Sequence, residues 1–185
     1  MRTLGLILLS AIFANGTLIG QSGGATPAPA SLGPKDPAAY SAAQFAALQA
    51  MINAASAASA TLSGDDLDAW QKARPSLGQA IGGLAKAFDA DAFHGKIKIV
   101  QGTWPGLEQA DTLDRARAAY LKVGDNLAQI LLEARQADPR LAKAIVYYCT
   151  MTADPANARW IQLAPPLTNP FWGVDMLPCC SEVTR

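Results

Sequence analysis

The residues of this chain that could do chemistry crowd into its last fifth. Between Val146 and Val183 lie all three cysteines (Cys149, Cys179, Cys180), two of the four methionines and two of the four tryptophans. The stretches Val146–Met151 and Arg159–Leu163 are rich in β-branched and aromatic residues, and the seven residues between them read as a loop, so the pattern predicts a small β-hairpin. Side chains alternate faces along a strand, which would point Tyr147, Cys149 and Met151 the same way. Cys149 and Met151 would then form a two-point soft-sulfur chelate. Met176 and Cys179 stand three apart, a spacing that one turn closes into a second sulfur pair. Thiolate and thioether together select soft cations, with copper(I) or silver the natural candidates. Zinc fits less well, because no Cys/His spacing matches a zinc module.

The competing chemistry is a disulfide from Cys149 to Cys179 or Cys180. Closing a loop of roughly 30 residues is worth about 3.5 kcal/mol in the chain-entropy model, enough to pin a marginal hairpin against a helical core. Cys180 is a substitute or additional ligand in the metal reading, as is the single histidine, His94, which the sequence places on a loop beside Gly95. One histidine rules out a His-rich cluster and leaves one candidate base for nucleophilic catalysis. With no third group to orient it, and no phosphate loop, nucleophile elbow, CxxC pair or HExxH helix, the reading is of a protein that is not an enzyme.

The tail also resembles a bacterial exported domain family of uncharacterised function. The residues that carry the resemblance are Tyr147-x-Cys149-x-Met151, Trp160-x-Gln162, Asn169-Pro170-Phe171-Trp172-Gly173 and Met176-x-x-Cys179 with Glu182-Val183 trailing. Such domains occur as small exported proteins and at the C-terminus of periplasmic adaptor subunits of copper/silver efflux systems. The resemblance implies a metal site of Cys149, Met151, Met176 and Cys179, structural roles for Trp160, Asn169, Pro170 and Gly173, and heavy-metal efflux components as partners. Two positions depart from the pattern: Thr150 stands where the family usually has proline, and Cys180 where it usually has glycine.

The rest of the chain must deliver and position that tail. Met1-Arg2 followed by an apolar run from Leu4 to Phe13 has the form of a signal peptide, residues 1–20 with cleavage between 16 and 24, too short to span a bilayer. A periplasmic or otherwise extracytoplasmic location follows, and no later stretch is expected to remain as a membrane span. Residues 21–36, with several prolines and glycines, read as a flexible linker. Residues 37–185 form one helical domain. Asp36-Pro37 looks like its helix entrance, and Phe45, Leu48, Ile52, Ala55, Ser59 and Leu62 mark the first buried stripe. Ser63 or Asp65 would cap a second helix bearing Trp70, Leu77, Ile81, Leu84 and Phe88, with a kink or break at Pro75. Asp89 to Gly106 reads as a connection punctuated by Trp104-Pro105-Gly106. A third helix, from about Leu107 to Ala137, carries Leu113, Ala116, Tyr120, Val123, Leu127, Ile130 and Ala134. The expected fold is mainly α: an antiparallel bundle of three helices, with four as the alternative, a small C-terminal β-hairpin and an irregular Cys/Met-rich tail. Fifteen acidic residues cancel fifteen basic ones, so no nucleic-acid partner is implied.

Overall fold

The computed structural model describes residues 39–154, 157–174 and 180–183. It is mainly helical, with a three-stranded antiparallel sheet at the C-terminal end. Four α-helices occur among the described residues: α1 (Ala42–Ser63), α2 (Leu67–Ala87), α3 (Lys96–Glu108) and α4 (Leu113–Ala137). Each packs on the next, and α4 returns against α1, which closes a four-helix arrangement rather than a three-helix one.

α1 begins at a capping box. The Ser41 hydroxyl accepts from the Gln44 amide while the Gln44 side chain accepts from the Ser41 amide, so two of the helix's unpaired donors are met reciprocally. The entrance expected at Asp36-Pro37 lies outside the described residues. Leu48, Met51, Ile52, Ala55 and Leu62 are buried along one face, each large side chain contributing about 1.5–3 kcal/mol by leaving water. By length and composition α1 could also cross a membrane, contrary to the expectation that no segment after the leader would; in this fold its apolar stripe is turned into the protein core.

Asp66, rather than Ser63 or Asp65, caps α2 by accepting from the Ala69 amide at 2.8 Å. The helix then runs unbroken through Pro75, where a kink or break was expected. Trp70, Leu77, Ile81 and Leu84 lie buried on both sides of the proline, and their combined burial outweighs the ~3 kcal/mol that an interior proline costs.

The second departure is α3, which occupies much of the stretch expected to be a connection. Ile97, Val100 and Leu107 are buried, and Trp104 between them packs against the core. A Cβ on Gly78 of α2 would sit 2.5 Å from the Trp104 ring, so the indole packs directly against the bare backbone of α2. Spacings of three, four and three make this a helical stripe, which the surrounding Gly95, Gly102, Pro105 and Gly106 disguise as a turn.

α4 opens on Thr112, whose hydroxyl accepts from the Arg115 amide. It buries Ala116, Tyr120, Val123, Leu127, Ile130, Leu131 and Ala134. The Tyr120 hydroxyl donates to the Ala55 carbonyl of α1 at 3.0 Å, so this polar atom is satisfied where it is buried.

The sheet has order β2-β1-β3, with β1 (Ile145–Cys149) central, β2 (Arg159–Gln162) on one side and β3 (Cys180–Glu182) on the other. The hairpin expected from the sequence is β1–β2; β3 is an addition to it. β2 packs against both α1 and α4. Ser59 donates to the Ile161 carbonyl at 3.2 Å and the Leu163 amide donates to Ser56 at 3.1 Å, which ties β2 to α1. On its other side the buried carboxylate of Asp125 in α4 accepts from the Arg159 guanidinium at 2.8 Å and from Gln129. The tail is therefore built into the helical core, not appended to it.

Candidate functional site, a cysteine pair on one amide

The site forms where β1 ends. Cys149 and Cys180 stand directly opposite each other in the β1–β3 ladder. The ladder's hydrogen bonds fix the type of that pairing. Cys149 donates its amide to Ala158 on the β2 side at 3.1 Å, while Val146 accepts from Val183 on the β3 side at 2.7 Å. Odd-numbered residues of β1 thus bond to β2 and even-numbered ones to β3, so Cys149 and Cys180 form a non-hydrogen-bonded pair. In such pairs the α-carbons approach to about 4.5 Å and the side chains lie closer than anywhere else in a sheet.

One amide reaches both sulfurs. Asn169 is wholly buried, and its Nδ2 lies 3.5 Å from the Cys149 Sγ and 3.3 Å from the Cys180 Sγ. Its Oδ1 accepts from the Phe171 amide at 2.9 Å, and its carbonyl accepts from Gly173 at 3.0 Å in an isolated bridge. Asn169-Pro170 does form the turn that its sequence suggests, and the same side chain also serves the cysteines.

That turn is held from outside by the helices. Arg117 of α4 donates to the Leu62 carbonyl at the end of α1, donates to the Pro170 carbonyl at 3.3 Å, and pairs with Asp65 in the α1–α2 link. The Arg117 hydrogen bond holds the Asp65 carboxyl below the usual carboxylate range. Gly173 closes the turn at φ 68°, and a Cβ there would fall 2.5 Å from an Asp65 oxygen and 2.8 Å from the Arg117 guanidinium. Both its backbone conformation and its surroundings require glycine.

Aromatic and amide side chains of β2 complete the scaffold. Trp160 is buried, stacked on Tyr147 with ring centres 5.7 Å apart and met edge-on by Phe171 at 5.6 Å. The Gln162 amide spans the loop that follows β2: it donates to the Ala164 and Pro166 carbonyls and accepts from the Thr168 amide and hydroxyl. Trp160, Gln162, Asn169, Pro170 and Gly173 therefore converge on one turn beside the sulfurs.

The sequence-derived ligands fare unequally. Cys149 is buried, and Cys180, read from sequence as a substitute or additional ligand, is the cysteine set opposite it, half-buried. β1 ends at Cys149, so Met151 does not share its strand face: it lies in the turn beyond and is 53% exposed. Met176 and Cys179 lie outside the described residues. His94 adopts a left-handed backbone conformation just before α3, with its imidazole exposed and 3.9 Å from Glu133. Among the described residues no three His, Cys, Asp or Glu side chains converge, so His94 does not join the cysteines.

Sequence reasoning missed the Asn169–sulfur contacts, the Arg117 clamp and the Asp125–Arg159 pair. Only the last left a signal, an acidic residue in the middle of an otherwise apolar helical stripe.

Two adjacent sulfurs with a shared donor support two chemistries. As thiolates they offer two soft ligands, the minimum set for a monovalent soft cation. Oxidised, they could close a cross-strand disulfide, since the α-carbon separation usual in such pairs, about 4.5 Å, falls within the range a disulfide spans. The donor set fits copper(I) in kind, and Met151 lies in the turn just beyond Cys149. No protein-family model, curated protein or solved structure matches the chain.

Proposed function

We propose that this is an exported protein that binds copper(I) or a similar soft cation outside the cytoplasm, for handling or for hand-over to heavy-metal efflux components. The observation that carries the reading is the cysteine pair of Cys149 and Cys180, fixed across the sheet and donated to by a single buried amide. A site that served packing alone would have no use for two adjacent thiols with a directed N–H donor between them. In this reading Cys149 and Cys180 supply thiolate ligands held by the sheet. Cys179 and Met176, neighbours of β3 in sequence, are the further sulfur donors, and Met151 is an exposed thioether at the rim. When bound, the cation supplies only charge and soft-ligand affinity. The protein supplies the preset spacing, the N–H donor and the exclusion of water around Cys149. The resemblance of the tail to an efflux-associated exported family, and the N-terminal segment with the form of a signal peptide, point the same way.

The non-hydrogen-bonded register favours a second reading: the pair closes into a disulfide and the protein is a disulfide-stabilised helical interaction module without metal. Anaerobic titration of the reduced protein with copper(I) against a chromophoric chelator, with thiols counted in the protein as isolated, separates the two. The metal reading predicts stoichiometric uptake that survives competition and vanishes in the Cys149→Ser, Cys180→Ser double variant. Thiols that arrive oxidised, followed by no uptake after reduction, would establish the disulfide reading instead.

A further inference from the structure

We propose that Asn169 is the positioning residue of the cysteine pair, and that its two amide hydrogens set the balance between the metal-binding form and the disulfide. The inference rests on the soft-metal reading for one of its two arms only. The orientation of the amide is determined by its partners. Oδ1 receives the Phe171 N–H at 2.9 Å; a flipped amide would set Nδ2 against that N–H, donor against donor. Nδ2 must therefore face the sulfurs, which lie 3.5 Å (Cys149 Sγ) and 3.3 Å (Cys180 Sγ) from it, within reach of its N–H groups. Asn169 is fully buried, so no water substitutes for either bond without rearrangement. The backbone bridge to Gly173 and the Arg117 bond to the Pro170 carbonyl keep the amide from retreating.

The two states of the pair differ in what they offer that donor. A thiolate, free or metal-bound, carries negative charge and accepts a charge-assisted hydrogen bond, roughly twice as strong as one to a neutral acceptor. A disulfide sulfur is neutral. Donation from Asn169 therefore stabilises the metal-loaded pair, and the reduced pair where its sulfurs are thiolates, more than the disulfide. It also orients both sulfurs as outer-sphere partners of metal ligands generally do. The oxidation is balanced by a disulfide co-reactant: two protein thiols and one glutathione disulfide give the Cys149–Cys180 disulfide and two glutathiones.

Two variants test this, each expected to move disulfide formation and copper(I) affinity in opposite directions. Asn169→Asp keeps the oxygen that accepts from Phe171 and replaces the donor with a second acceptor. Asn169→Ser replaces the amide's two hydrogens with one hydroxyl hydrogen on a shorter side chain, so at most one sulfur keeps a donor and no charge is added; it decides the matter if the Asp variant loses helix content by circular dichroism. Each is equilibrated in glutathione buffers at a pH above the ordinary thiol range, where the thiolate form is the one compared with the disulfide, then quenched in acid, alkylated and weighed by mass spectrometry. Separately, each reduced protein is titrated with copper(I) under competition. The disulfide should become easier to form, by roughly tenfold in the glutathione ratio at the midpoint, while copper(I) affinity falls about 10- to 100-fold. A turn that merely loosened would spread the sulfurs and lower both quantities together. That result, or no change in either, overturns the proposal. If the unaltered protein takes up no copper(I), the soft-metal reading fails, and the disulfide equilibrium alone still decides the role of Asn169.

Discussion

The helical bundle and the C-terminal tail are held by different kinds of interaction. In α1, α2 and α4 each helix buries a stripe that repeats every three or four residues, and the loss of one contact leaves its neighbours in place. In the tail, position is set by single long-range contacts: Asp125 to Arg159, Arg117 to Pro170, Asn169 to both cysteines. β1 and β2 are five and four residues long, β3 three, too short to be stable without the helices behind them. The bundle is thus a redundant structure and the tail a specified one. A site that must hold two sulfurs at a fixed separation belongs on the second kind, braced by the first.

The sharpest way to break that contrast is to remove the tail's largest buried side chain. Trp160→Ala should cost about 3–5 kcal/mol in urea unfolding, with helix and aromatic signals melting together because β2 lies against α1 and α4. Separate transitions, the aromatic one first, would show the tail to be an independent unit. Asp125→Ala should cost about 2–3 kcal/mol, less than a fully buried ion pair because Arg159 keeps part of its surface in water. Gly173→Ala should cost about 2 kcal/mol through its left-handed backbone and its collision with Asp65; near-ultraviolet circular dichroism should report the change while far-ultraviolet helix signal holds. The smallest effect is the response to acid. The folded-state carboxyl of Asp65 titrates below its unfolded value, so its contribution is present above the ordinary carboxylate range and is lost as pH falls through the depressed value. Arg117→Gln should flatten that part of the stability–pH curve, and an unchanged slope would remove Arg117 from the clamp. Because Asp65 is substantially exposed, solvent screening keeps this effect small.

The same contrast decides what could be read from sequence. The stripes of α1 and α4 and the hairpin strands β1 and β2 were visible because their signals are local and periodic. No break occurs at Pro75: a proline's local cost is plain in sequence, whereas the burial of Trp70 and Leu77 on either side of it is a tertiary fact. α3 was lost for the complementary reason, since Gly95, Gly102 and Pro105 speak for a turn and only the packing of Trp104 on Gly78 overrules them. In the tail, residue types pointed to sulfur chemistry, but pairing cannot be deduced from spacing. The expected chelate joined Cys149 to Met151, two residues along the chain, whereas the ladder sets Cys149 opposite Cys180, 31 positions on. Asn169 showed its turn-forming role in sequence, and its second role depends on where the end of β1 and the start of β3 place their cysteines.

The most direct test of the central claim is X-ray absorption at the copper edge of the protein loaded anaerobically with one equivalent of copper(I). The account predicts a first shell of sulfur alone, reduced in Cys149→Ser and in Cys180→Ser. A shell dominated by nitrogen or oxygen, or a spectrum indifferent to both substitutions, would contradict it.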